Sequence, residues 1–186
     1  MYWCRSKIIY RAVLIVSILF AGAFSACKPE IKETGDTLKY VDLKAYFKDN
    51  SAHLTVLNKS VYKTVTHNGV TESKKVHIDN WERELSLFSE SDINKPAWKD
   101  SYFIQNTVNT LVYKAKYPEL QTREIIINKE NNKIKRITIV NHTQNILYET
   151  REKLIYIPDS MYNIEKMQHV KLLGSNKYDI TGILNQ

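Results

Sequence analysis

Cysteine is almost missing from this 186-residue chain. The two present are Cys4 and Cys27, which leaves nothing downstream of residue 27 to form an internal disulfide. A disulfide-stapled scaffold and a multi-cysteine zinc site are both excluded. Glycine is scarce too: beyond residue 26 it stands only at Gly35, Gly69, Gly174 and Gly182. A phosphate cradle or dinucleotide fingerprint needs closely spaced glycines so that backbone amides can approach phosphate, and no such cluster exists here. There is no Gly-x-Ser-x-Gly elbow and no His-Glu-x-x-His. With five glycines and four prolines in all, long disordered tracts are not expected.

Charge of one sign is also not concentrated. The formal net charge is +7, but Arg5, Lys7 and Arg11 lie in the first 26 residues, and without them 24 basic residues face 20 acidic ones. No basic stripe forms, so nucleic acid is not an expected partner. The short run Lys133, Lys135, Arg136 reads as the solvated face of a strand.

The residue types that carry chemistry are dispersed. His53, His67, His77, His142 and His169 follow no ligand spacing, although His67 and His77 stand near Glu72 and Asp79, and they read as scattered surface residues. Glu82 with Glu84 on a helix, and Glu149 with Glu152 on a strand, point in different directions rather than into one shared pocket. No catalytic residues, no metal and no cofactor are expected, and the chain reads as a non-enzyme.

The first 26 residues are organised differently from the rest. Residues 1–11, MYWCRSKIIYR, carry three positive charges and no acid; residues 12–26, AVLIVSILFAGAFSA, carry none and end in small side chains. This is the order of a secretory signal. The uncharged stretch is 15 residues long, whereas a spanning helix needs about 20 apolar residues. Phe24-Ser25-Ala26-Cys27 resembles the lipobox at which bacterial lipoprotein precursors are acylated and cut, with Phe24 in place of the usual leucine. Relaxed lipoboxes of this kind, and the Lys-, Asn-, Ile- and Tyr-rich composition, resemble Bacteroidota lipoproteins. The segment from Ile93 to Tyr102 is similar to one found in lipoproteins of that phylum, and the likeness carries no activity with it. The resemblance implies lipid on Cys27, a membrane as partner, and location in the cell envelope at the outer membrane. Ordinary cleavage after Ala21-Gly22-Ala23 is the alternative.

Residues 27–36 would then be a polar tether and residues 37–186 one domain. From Leu38 the apolar positions Leu43, Phe47, Leu54, Leu57 and Val61 keep helical spacing, which predicts a helix over about Leu38 to Lys63 with Asp36 or Thr37 as its cap. Residues 64–77 read as a hairpin about Asn68-Gly69 or as a helix stopping at Gly69; the β-branched flanks favour the hairpin. Asp79-Asn80-Trp81-Glu82 opens a second helix with Trp81, Leu85 and Phe88 on one face, ending at Asn94-Lys95-Pro96.

From Tyr102 the period becomes two, with strands expected at 102–105, 108–117, 123–129, 133–141, 146–157, 162–173 and 178–184. The fold class is α+β: N-terminal helices packed on a C-terminal antiparallel meander sheet of about six strands, with a half-barrel as one form of it. Tyr113, Tyr117, Tyr148, Tyr156, Tyr162 and Tyr178 fall on these strands. They either pack the sheet or, with Trp98, line a ligand groove, for which Trp98, Tyr113, Tyr148 and Tyr156 are the candidate residues. The expected function is a membrane-anchored interaction module for an envelope protein, a lipid or a glycan. A lipid or lipoprotein carrier is the runner-up, and an envelope enzyme is third.

Overall fold

The computed structural model describes residues 38–184. The export segment, Cys27 and the tether expected from the sequence lie outside the described residues.

The first helix, α1, spans Leu43–Leu57, shorter at both ends than its apolar spacing suggests. It starts at Asp42, whose carboxylate accepts from the Ala45 amide at 2.8 Å, and stops at Asn58, which takes the left-handed conformation that ends helices. Leu43, Phe47, Ser51 and Leu54 form its buried face. Two short helices follow later, α2 (Trp81–Glu84) and α3 (Ser86–Glu90). Asn80, one residue beyond the expected acidic cap, accepts from the Arg83 amide at 2.8 Å. Trp81, Leu85 and Phe88 are all buried, as their shared face requires. A single 3-10 turn spans Pro96–Trp98.

Nine strands make one antiparallel sheet, where about six were expected. They are β1 (Val61–His67), β2 (Val70–Val76), β3 (Tyr102–Asn106), β4 (Thr110–Ala115), β5 (Thr122–Glu130), β6 (Lys133–Gln144), β7 (Tyr148–Ile157), β8 (Met161–Val170) and β9 (Gly174–Leu184). Their order is β2-β1-β9-β8-β7-β6-β5-β4-β3. All seven ranges expected from residue 102 onward are strands, and the hairpin of Val61–His67 and Val70–Val76 adds two more, turning about Asn68 and Gly69 at φ 49° and 90° and joining the meander by pairing β1 with β9. Nor do the helices form an N-terminal block, because this hairpin separates α1 from α2 and α3.

The sheet's register builds its core. Tyr113, Ile125, Ile139, Leu154 and Ile164 are successive cross-strand neighbours from β4 to β8, and all are buried. One rung along, Leu111, Ile127, Ile137, Tyr156 and Tyr162 continue to Gly182 on β9. The helices cover this face. The Phe47 ring lies 5.1 Å from those of Phe88 and Tyr156, and Trp81 meets Tyr162 edge-on at 6.2 Å.

Because successive strands alternate direction, the connections sort to two ends of the sheet. The β1–β2, β4–β5, β6–β7 and β8–β9 connections lie at what we call the Gly69 end. The β3–β4, β5–β6 and β7–β8 connections lie at the other, the Asp159 end. Helix α1 runs from the first toward the second: Asp92, next to Ser91, receives its first amide, and its His53 Nε2 is 3.1 Å from Asp159 Oδ1.

Candidate functional site

The four residues expected to line a groove are placed in three different settings. Tyr156 is 1 % exposed and donates to Asn50 Oδ1 at 3.0 Å. Tyr113 is also buried, and its hydroxyl oxygen accepts from the Val41 amide at 3.1 Å. Both hydroxyls are therefore satisfied inside the core. Trp98 is half-buried against Tyr102, with the Lys95 ammonium 4.0 Å from its ring centre, so it seals the edge of the helix layer. Tyr148 stands at the start of β7, exposed, at the Gly69 end. The structure brings Tyr113 and Trp98 near one another through Tyr40 and Tyr102, and it does not bring all four into one groove.

Polar groups under the helices form a second cluster. The Tyr162 hydroxyl donates to Glu84, whose carboxylate also takes the Lys63 ammonium at 2.6 Å. Burial, and then the bond to Glu84, keep the Tyr162 hydroxyl protonated well above the ordinary tyrosine range. Nearer the Gly69 end, Glu152 binds Lys166 Nζ at 2.9 Å and accepts from Asn141 at 3.3 Å. Asn141 also donates to Ser91 Oγ at 2.9 Å, while its own Oδ1 has no hydrogen-bond partner. These groups neutralise one another and tie helices to sheet.

On the opposite face, Glu149 accepts from His142 Nε2 at 2.9 Å and from Arg151 at 2.7 Å. The His142 bond, then the Arg151 bond, hold its carboxyl below the usual glutamate range. His169 and Ser175 meet at 2.9 Å beside it. Glu149, Arg151, Met167, His169 and Ser175 surround a depression of about 60 Å³, far below the roughly 300 Å³ of a small-molecule pocket. Among the described residues no group of three or more His, Cys, Asp or Glu is arranged to hold a metal. No described helix is long and apolar enough to cross a membrane.

A third feature was missed by sequence reasoning. The β6–β7 connection exposes Ile146 at 84 % and Leu147 at 69 %, and the β8–β9 connection exposes Leu172 at 95 % and Leu173 at 84 %. These two tips are joined, because the Lys171 amide donates to the Leu147 carbonyl at 3.0 Å. Turn chemistry is normally polar, and the turns of the β5–β6 and β7–β8 hairpins obey it with Asn131, Asn132 and Asp159. The signal was legible in principle as Ile146-Leu147 beside Asn145 and Leu172-Leu173 before Gly174. Periodicity alone reads such residues as strand, which is why the expected strands ran through them.

No protein-family model, curated protein or solved structure matches this chain.

Proposed function

We propose that this protein is a lipid-anchored, non-enzymatic component of the cell envelope, acylated at Cys27, whose folded domain is an interaction module. The observation that carries the reading is the set of aliphatic side chains that the fold leaves outside its core and gathers on joined hairpin tips. Exposed apolar side chains grouped on neighbouring tips mark a binding surface. The signal-like order of residues 1–26 and the lipobox-like Phe24-Ser25-Ala26-Cys27 support the anchor and an outer-membrane address. In such an anchor each buried methylene contributes roughly 0.8 kcal/mol, so two or more acyl chains on Cys27 would hold durably where one would not.

Labelled palmitate fed to cells expressing the chain tests the anchor. The wild type takes up label and sediments with outer membranes, and Cys27→Ser does neither. Equal labelling of both would sink the assignment.

The second reading is a lipid or lipoprotein carrier in which the sheet acts as a half-barrel. The placement of the helices over one face of an open sheet favours it. A ligand would have to part Phe47 and Phe88 from Tyr156. Native mass spectrometry of the protein purified from its own cells separates the two readings: a retained lipid of fixed mass selects the carrier, and a bare mass selects the interaction module.

A further inference from the structure

We propose that the joined tips of the β6–β7 and β8–β9 hairpins are a membrane-docking edge. Ile146, Leu147, Leu172 and Leu173 would enter the acyl boundary of a bilayer, with Lys171 and Lys177 at the headgroups. The proposal deepens the interaction-module reading and rests on it, committing the partner to be a lipid surface.

Three observations converge. The four side chains are among the most exposed large apolar groups of the domain, and they sit on neighbouring tips fixed together by the Lys171–Leu147 backbone bond. A rigid pair of tips presents apolar groups without first having to order them, which lowers the entropic cost of insertion.

Charge is disposed to match. Lys171 precedes Leu172, and Lys177 lies just inside the same hairpin; both are exposed. The acidic neighbour Glu149 is already paired with the Arg151 guanidinium at 2.7 Å. Cations flanking apolar side chains suit the boundary between phosphate headgroups and acyl chains.

The path of the chain supplies the third. Leu38, where the described chain begins, is followed by Lys39 paired with Asp100, and Lys116 Nζ donates to the Asp100 carbonyl at 2.7 Å. Lys116 opens the β4–β5 connection, so the chain enters the domain at the Gly69 end, the end that carries the tips. The ten residues from Lys28 to Thr37 reach at most about 35 Å. Lipid on Cys27 would therefore hold the Gly69 end, rather than the Asp159 end, toward the bilayer.

The test places an environment-sensitive fluorophore on a single thiol in the mature acylated protein, reconstituted in phosphatidylcholine vesicles with and without phosphatidylglycerol. Leu172→Cys reports the tip. Val108→Cys, 94 % exposed on the β3–β4 connection at the Asp159 end, is the control. The expected result is a shift to shorter wavelength and quenching by a lipid-borne nitroxide at 172, stronger with phosphatidylglycerol, and neither change at 108. Water-like emission at 172 in vesicle-bound protein overturns the docking edge and leaves the anchor standing, as would protection at 172 that appears only with an added envelope protein. Equal shifts at both positions also overturn it, because the domain would then lie in lipid without preferred orientation. If palmitate labelling shows no anchor, the secreted protein with Cys27→Ser, so that the introduced thiol is again single, is mixed with the same vesicles and decides: a shift confined to 172 supports the docking edge, and its absence overturns it.

Discussion

The ring of Tyr162 occupies the space in which a side chain on Gly182 would begin. The two residues are direct cross-strand neighbours on β8 and β9, and a β-carbon on Gly182 would fall well inside contact distance of the ring edge and the hydroxyl. Only a glycine lets Tyr162 lie flat across β9 and reach Glu84 beyond it.

Gly182→Ala is expected to destabilise the domain by about 3 kcal/mol, the upper part of the range for overpacking a filled site, because the tyrosine has strand on one side and Trp81 on the other. Urea unfolding followed by tryptophan fluorescence measures it. An effect below about 0.5 kcal/mol would mean that the tyrosine moves aside freely.

Alkali should unfold the protein through its core tyrosines. Burial, as the leading cause, raises the hydroxyl pKa of Tyr102, Tyr156 and Tyr162 in the folded state. A folded-state value above the unfolded one gives stability that is complete below the ordinary tyrosine value of about 10 and is lost as pH rises through the folded value. Ultraviolet titration of the tyrosines follows the ionisation. The buried group should ionise only together with loss of near-ultraviolet circular dichroism. Ionisation of all tyrosines near pH 10 with the fold intact would contradict this.

Asp92→Ala should loosen the entry of the chain into the domain. Its carboxylate accepts from the Leu43 amide and the Asn94 amide, each at 2.8 Å, and Asn94 in turn bonds the Tyr40 amide and the Val41 carbonyl, each at 3.1 Å. Loss of a helix-start acceptor costs about 1 kcal/mol, and the second bond brings the expected total to about 2 kcal/mol. Limited proteolysis should then cut near Lys39 and Lys44 faster than in the wild type, while Asp49→Ala, on the exposed side of α1, should leave the rate unchanged.

Glu149 should titrate as an unusually acidic glutamate. Its bond from His142, then that from Arg151, lower its pKa, so its midpoint by carboxyl-detected NMR should fall below about 4.3. His142→Ala should move it back up. The contribution of this cluster to stability is present above the ordinary glutamate value and lost as pH falls through the depressed one.

Much of the α+β arrangement was written in periodicity. The shift from helical spacing at Leu43, Phe47 and Leu54 to alternation at Ile125, Ile127, Ile137 and Ile139 follows which side chains are buried, because burial is what both periods record. The Asn68-Gly69 hairpin was legible from its turn residues. Its place in the sheet was not, since β1 pairs with β9 across more than a hundred residues and no local pattern encodes that partner.

The tyrosines show a different limit. Sequence places Tyr113, Tyr148 and Tyr156 on strands, but whether a strand face meets helices or water is settled by the helix layer. That layer encloses Tyr113 and Tyr156 and leaves Tyr148 at the rim. The segment Ile93 to Tyr102 gains a structural meaning instead: with Asp92 just before it, Asn94, Trp98 and Lys99 grip Tyr40 and the start of α1.

The two borders of the sheet are unequal. β2 presents Thr71, Glu72, Ser73, Lys74 and Lys75 along its length, a charged margin that discourages pairing with a foreign strand. β3 pairs only with β4 and displays Phe103 and Ile104, both exposed. Self-association at high concentration would thus be one-directional and would stop at pairs: two copies could join β3 to β3, after which only lysine-bearing margins face outward, and no fibre could propagate.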